Sequence, residues 1–217
     1  MILNKRKKYL QVAFNTTISE AVGIISRLPQ SERIIIEAGT PLIKKYGMAA
    51  VRDLRYWWQN RLAGTEIEPY VVADVKTMDR GLTEVTMARE AGASAAVALG
   101  QSPVETVNSF VESCRLLGLD SMVDMMNVEQ PVKVMRLWKR MPEVVMLHRG
   151  VDEEEFNKNK PVPYIQINKI RASYDTMISV AGGDTIREVQ RAIFNDADIV
   201  VVWKKPEMAG EFLAEIK

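Results

Sequence analysis

The segment Ala73-Asp74-Val75-Lys76-Thr77-Met78-Asp79 sets a lysine between two aspartates. On an extended chain residues two apart project to the same side, so Asp74 and Lys76 would face one space. A lysine between carboxylates is held in its charged form. In a site closed to water, that ammonium can protonate or stabilise a developing enolate or carbanion. An isolated Asp-x-Lys pair is more simply a salt-bridged strand end, so the chemical reading needs further residues converging on the pair. One is His148, the only histidine, which follows the apolar run Val144-Val-Met-Leu147. Imidazole is the side chain best suited to proton transfer near neutral pH, although a lone histidine also serves as a core or surface residue. The stretch Ser179-Val-Ala-Gly-Gly-Asp-Thr185 joins an apolar run through Gly182 and Gly183 to a helical pattern. Paired glycines let backbone N–H groups and a helix start approach an anion such as phosphate, or they simply make a tight turn.

Eight short apolar runs must position these residues: 10–14, 33–36, 70–73, 93–99, 122–124, 144–147, 177–180 and 199–202. Continuous apolar runs of this length read as strands buried on both faces, hence as a parallel sheet. Amphipathic helical patterns lie between them, at 17–28, 79–91, 102–117, 185–194 and 206–216. Residues 50–68 suggest an extended helix whose Tyr56, Trp57 and Trp58 pack on the barrel or at a subunit interface. Strands alternating with helices, with no break in composition, predict an α/β fold: one (β/α)8 TIM barrel over residues 1–217 as a single domain. The rival is an open doubly wound sheet, which periodicity alone does not exclude.

In such a barrel the working residues sit where strands end. Those positions carry Asn15, Glu37, Asp74 with Lys76, Gly100 with Gln101, Asp124, His148 with Arg149, Gly182 with Gly183, and Trp203 with Lys204. A carboxylate ending a buried strand is costly unless it is paired or holds a cation. Three of them with a lysine on one face are hard to explain as surface decoration.

Composition bounds the rest. Apolar residues are 47% and charged residues 26% of 217, and the net charge of +1 gives no global attraction to nucleic acid or membrane. The basic cluster Lys5-Arg6-Lys7-Lys8 reads as a solvated lead-in to the first strand. Cys114, alone, excludes an intrachain disulfide and sits on a helical pattern as a core filler. No run reaches membrane-span length and no signal-peptide core is present, so a cytoplasmic protein is expected.

Taken together, several segments resemble the 3-hexulose-6-phosphate synthase / 3-keto-L-gulonate-6-phosphate decarboxylase family of the orotidine-5′-phosphate decarboxylase superfamily. They are Gln11-Val-Ala-Phe-Asn15, Glu37-Ala-Gly-Thr-Pro-Leu-Ile43, Asp74-Val-Lys-Thr-Met-Asp79, Met146-Leu-His-Arg-Gly-Val-Asp152 and Val180-Ala-Gly-Gly183, in the family's order over nearly the whole chain. The resemblance implies a lyase, reversibly adding formaldehyde to ribulose 5-phosphate through an enediolate held by Mg2+. It implies that Glu37 and Asp74 bind the metal, both being oxygen donors suited to a hard cation. Lys76 and His148 would act on charge and proton, with Asp74 and Asp79 completing the catalytic set. Asn15, Arg149, Gly182, Gly183 and Lys204 would hold a small sugar phosphate. A homodimer is implied too, with Asp79 reaching the neighbouring subunit's site.

Three positions bear on which reaction is kept. Val151 stands where the decarboxylase branch is expected to carry arginine, which favours the synthase. Asn15 replaces the aspartate usual at the end of the first strand, removing a charge from the lysine network. The eighth strand ends Val202-Trp203-Lys204-Lys205-Pro206, where the family has a glycine for its phosphate grip. Lys204 or Lys205 could replace the lost donors as point charges, or the substrate could carry no phosphate. The sequence thus leaves open a non-catalytic or re-purposed binding paralogue and a decarboxylase of another β-keto acid.

Overall fold

The computed structural model describes residues 2–157, 161–182 and 184–216. Its elements run β1 (Tyr9–Phe14), α1 (Ile18–Ile25), β2 (Ile34–Ala38), α2 (Thr40–Tyr46), α3 (Ala49–Arg61), β3 (Val71–Thr77), α4 (Gly81–Glu90) and β4 (Ala95–Leu99). They continue α5 (Val104–Leu117), β5 (Asp120–Asp124), α6 (Pro131–Met135), β6 (Val144–His148), α7 (Val151–Phe156), α8 (Ile165–Arg171), β7 (Met177–Ala181), α9 (Ile186–Phe194), β8 (Ile199–Val202) and α10 (Ala209–Glu215), with a 3-10 turn at Pro206–Met208. All strand pairs are parallel, and β8 pairs back onto β1 through Tyr9–Ile199 to Val12–Val202. The sheet is therefore a closed barrel, and the open doubly wound alternative is excluded.

The strands are apolar on both faces because each face meets a different core. Leu10, Val12 and Phe14 of β1 join Ile34 and Ile36 of β2, Val71 and Ala73 of β3, and helical residues such as Leu42, Trp58, Val85 and Phe110. The alternate residues Tyr9, Ala13, Ile35, Val72, Val97, Met122, Val144, Met146, Ile199 and Val201 fill the barrel interior, with Leu3. This period of two assigns each side chain to the helix layer or to the interior. The interior phase, continued to the strand ends, leads to Asn15, Glu37, Asp74, Asp124, His148 and Trp203.

Local signals set the helix starts. The Thr17 side chain accepts the Glu20 N–H, and the Thr185 side chain accepts the Glu188 N–H, so each threonine satisfies an orphan donor at its helix start. The helix expected over residues 50–68 ends at Arg61, and its aromatics divide: Trp58 is buried while Tyr56 and Trp57 are exposed. The pattern at 206–216 is a 3-10 turn followed by α10, because Pro206 starts the turn and cannot donate within it. Cys114 is fully buried in α5, as its helical pattern predicts. Among the described residues, no helix is long and apolar enough to cross a membrane.

Candidate active site

At the C-terminal ends of the strands lies a cavity of about 530 Å³. Its wall includes Asn15, Glu37, Asp74, Lys76, His148, Arg149 and Gly182, brought together from five strand ends although they are far apart in sequence.

The third strand departs from the regular extension that its sequence suggests. The pairing of β3 with β4 shifts register between Ala73 and Thr77, and Lys76 has φ 48°, in the left-handed region. The bulge, rather than a plain two-residue repeat, brings the Lys76 ammonium back to 3.2 Å from Asp74. Bulges re-aim side chains in this way beside functional sites. Asp74 is itself held by Thr40, whose hydroxyl donates to its carbonyl and to Oδ2, both at 2.8 Å. The turn before Thr40 is tight: a Cβ on Gly39 would lie 2.0 Å from Asn15 Oδ1. Glycine at 39 therefore lets Asn15 sit against the start of α2.

Asp124 ends β5 with no exposed surface and joins two candidate proton carriers. Its Oδ2 accepts from Lys76 Nζ at 2.8 Å and lies 2.8 Å from His148 Nδ1, while Oδ1 accepts the Met126 N–H at 2.9 Å. Burial alone would raise its pKa, but His148 and Lys76 hold it well below the usual carboxylate range. For Lys76 burial pulls the other way, and Asp74 and Asp124 outweigh it, so the ammonium is held above its ordinary value. His148 is likewise raised, the Asp124 carboxylate overcoming burial. The site thus contains a cationic Lys76 and an imidazole biased toward protonation, both anchored on one buried anion.

Glu37 occupies a different environment. Burial first, and then the charge of Asp74, push its carboxyl up to about 7, although Gln11 Nε2 donates to it. Asp74 Oδ1 is buried with no hydrogen-bond partner. Two buried carboxylates on the cavity wall, Glu37 raised by its neighbour's charge and Asp74 with one oxygen left without a partner, fit a hard divalent cation. Among the described residues, no group of three or more His, Cys, Asp or Glu side chains could hold a metal, so the fit is to an open two-carboxylate site.

The sequence-predicted anion end is built differently from expectation. Gly182 has φ 120° and lines the cavity, as does Arg149, whose Nη2 is 3.6 Å from Glu154. Lys204 does not line it: its ammonium is 2.6 Å from Glu154 and lies over the Trp203 ring. The Trp203 ring takes the wall position instead, because it continues the interior phase of β8 and Lys204 falls on the opposite phase. Asp79 is exposed beyond the end of β3 and is not in this chain's cavity wall. Gly183 lies outside the described residues. The motif reading passed over Gln11, Thr40, Glu154 and Asp184 and left Asp124 out of its catalytic set. Gln11 and Asp124 were discernible as polar residues in otherwise apolar runs, whereas Glu154 sits in the short helix α7 and Asp184 in the loop after β7, where no periodic signal marks either.

A closed eight-stranded barrel with a lysine–carboxylate–histidine chain at its strand ends defines the class of the protein: a (β/α)8 barrel with a charged cavity at the C-terminal ends of its strands. The chain belongs to the orotidine 5′-phosphate decarboxylase / HUMPS family, whose model matches residues 8–202. It is 35% identical over 211 residues to a bifunctional enzyme Fae/Hps of Methanocella arvoryzae, covering 95% of this chain and 51% of that protein. It is 36% identical over 217 residues to the enzyme of the same name from Methanoculleus marisnigri, covering 96% of this chain and 52% of that protein. The chain thus spans about half the length of the curated relatives it matches. Among solved structures, 3-hexulose-6-phosphate synthase from Salmonella typhimurium superposes with a TM-score of 0.81 at 25% identity, over 94% of this chain and 95% of that one.

Proposed function

We propose that the chain is a carbon–carbon lyase of the hexulose-6-phosphate synthase type, reversibly adding formaldehyde to a ketose of ribulose size. The observation that carries this reading is the single buried Asp124 oxygen holding both Lys76 and His148 at 2.8 Å. The name 3-hexulose-6-phosphate synthase supplies the substrate class, a sugar phosphate, and the family resemblance supplies ribulose 5-phosphate as the ketose.

Glu37 and Asp74 would hold a divalent cation, Mg2+ by the choice of oxygen donors. When bound, that cation would supply positive charge to the neighbouring oxygens of an enediolate. His148, on the cavity wall beside Lys76, is placed to take a proton from the carbon next to the ketone and later to return one. Its proton-accepting form is neutral, and the Asp124 anion stabilises the imidazolium formed on transfer. The enediolate carbon then bonds to the formaldehyde carbon, and the aldehyde oxygen gains a proton and becomes a hydroxyl. Lys76, fixed as a cation, stabilises the negative charge that builds on oxygen during both transfers. Asp74 orients Lys76, and Thr40 orients Asp74.

The proposal includes a homodimer in which Asp79 enters the neighbouring subunit's site. Exposed Trp57, Met78, Leu82 and Met87 on and beside α3 and α4 supply apolar surface near Asp79 for that contact.

The test is exchange of the ketose proton with deuterium oxide, followed by NMR with and without Mg2+ and then with formaldehyde. Exchange and condensation are expected in the wild type, and Lys76→Ala is expected to lose about 100- to 1,000-fold in both. Unchanged turnover in Lys76→Ala would refute the mechanism.

A further inference from the structure

The strand registers sort the barrel interior into layers. Ile199 of β8 pairs with both Ser179 of β7 and Tyr9 of β1. Val144 of β6 pairs with both Met122 of β5 and Met177 of β7, and Ala95 of β4 pairs with both Val72 of β3 and Asp120 of β5. Strands of a closed barrel tilt, so on the next strand but one the level residue lies one interior position further along. Followed around the barrel, this sets Gln11, Val72, Met122 and Ser179 in one layer, with Gln11 and Ser179 at neighbouring corners. By the same steps Glu37 lies in the layer above, toward the cavity, with Val97, Met146 and Val201.

Gln11 and Ser179 have no exposed surface, and neither lines the cavity. Gln11 Nε2 donates to Glu37 Oε2. A carboxylate only accepts, so it fixes which end of the amide faces it and turns the amide oxygen away. That oxygen, Gln11 Oε1, is buried without a hydrogen-bond partner, and so is Ser179 Oγ. An orphaned acceptor and an orphaned hydroxyl thus share a layer whose other members are valine and methionine. Buried polar groups without partners are costly, and pairs of this kind are satisfied by an internal water.

We propose that Gln11 is a positioning residue for Glu37, and that Ser179 supports it through one buried water. The water accepts from the serine hydroxyl and donates to Gln11 Oε1. The support engages one Glu37 oxygen from below and leaves the other for a cation at the cavity. It works by narrowing the orientations of a flexible side chain, as partners one step removed from a metal do. This rests on the reading of Glu37 as a cation ligand.

The experiment titrates Mg2+ alone into the full chain by calorimetry, as wild type, Gln11→Met, Ser179→Ala and the double variant. Gln11→Met keeps the length of the side chain and removes the donor, and should weaken Mg2+ binding by about 10- to 100-fold. Ser179→Ala should weaken it less, in the same direction, without lowering the Tm of the metal-free protein. The double variant should bind as Gln11→Met does, because the serine acts only through the glutamine. In the proton-exchange assay the Mg2+ concentration for half-maximal rate should rise with these affinities, while the rate at saturating Mg2+ changes little. Unchanged affinity in both single variants overturns the inference and leaves the lyase reading standing. Weaker binding in Gln11→Met with no effect of Ser179→Ala, or with strictly additive effects, overturns the link between the two residues. A fall in the metal-free Tm of Ser179→Ala that accompanies its weaker binding overturns the positioning role. A wild type that binds no Mg2+ overturns both the inference and the ligand reading of Glu37.

Discussion

His148 and Asp124 make a testable pair at the scale of single residues. The imidazole is raised by the Asp124 anion against the opposing effect of burial, so its protonated form persists to higher pH than that of a free histidine. Because the chain has one histidine, its ring resonance is unambiguous in an NMR titration. The midpoint is expected above 6.5 in the wild type and should fall in Asp124→Asn, where the amide removes the charge but preserves the shape. An unshifted midpoint in the variant would show that the carboxylate does not tune the ring. The roles of such residues were only partly legible in the sequence. His148, Glu37, Asp74 and Lys76 stood out because polar groups ended apolar runs. Lys204 misled for the same reason, since its charge suggested a ligand contact while its strand phase pointed it away. Glu154 was hidden inside the short acidic helix α7, where nothing in the pattern distinguishes one glutamate from its neighbours.

At the scale of elements, β3 and the junction of α4 with α5 were the least legible. The apolar run announces a strand at 70–73, but it signals neither the extension of β3 to Thr77 nor the register shift against β4 between Ala73 and Thr77. The short helices α2, α6, α7 and α8 have too few turns to display a period, and all four went unread. Gly81 makes a sharper prediction. A Cβ there would lie 2.8 Å from the backbone nitrogen of Phe110 and 3.0 Å from its Cα, so α4 would have to move off α5. Gly81→Ala should therefore cost about 1–3 kcal/mol, measurable by urea denaturation, despite alanine's better helix propensity. A neutral or stabilising result would mean that the two helices are free to separate. Gly118, which unlike Gly81 is in the left-handed region at φ 73°, has open space around its Cβ position, so Gly118→Ala should suffer only from backbone strain.

For the whole molecule, eight runs and their spacing favoured a barrel but left an open doubly wound sheet as a rival, and the pairing of β8 with β1 decides between them. What one chain alone could not reveal was how the fold's stability is coupled to its site. The Glu37 carboxyl is raised from 4.5 to about 7, so the folded state prefers its protonated form. That preference contributes most below the unfolded value and is lost as pH rises through about 7, which makes the metal-free protein lose stability over this interval. The proposed cation, held by Glu37 and Asp74, would compete with that proton and reverse the trend. The rise in Tm on adding Mg2+ should therefore be small near pH 5.5 and grow up to about pH 8, and chelation should abolish it. A Tm increment independent of pH would argue against Glu37 as a ligand.

The two-residue alternation of the strands has a further consequence, for how this protein can change. Substitutions alter one wall position at a time, but losing a single residue from a strand shifts phase. Deleting Ile35 would turn Glu37 into the helix layer and bring Ile36 toward the interior, a simultaneous exchange of a ligand for a hydrocarbon. Length changes in a strand are survivable for the site only in steps of two, whereas loops such as 125–130 are free of that parity. Insertions and deletions among functional homologues should therefore cluster in loops, and any found inside β1, β2, β3, β5 or β6 should be even in number.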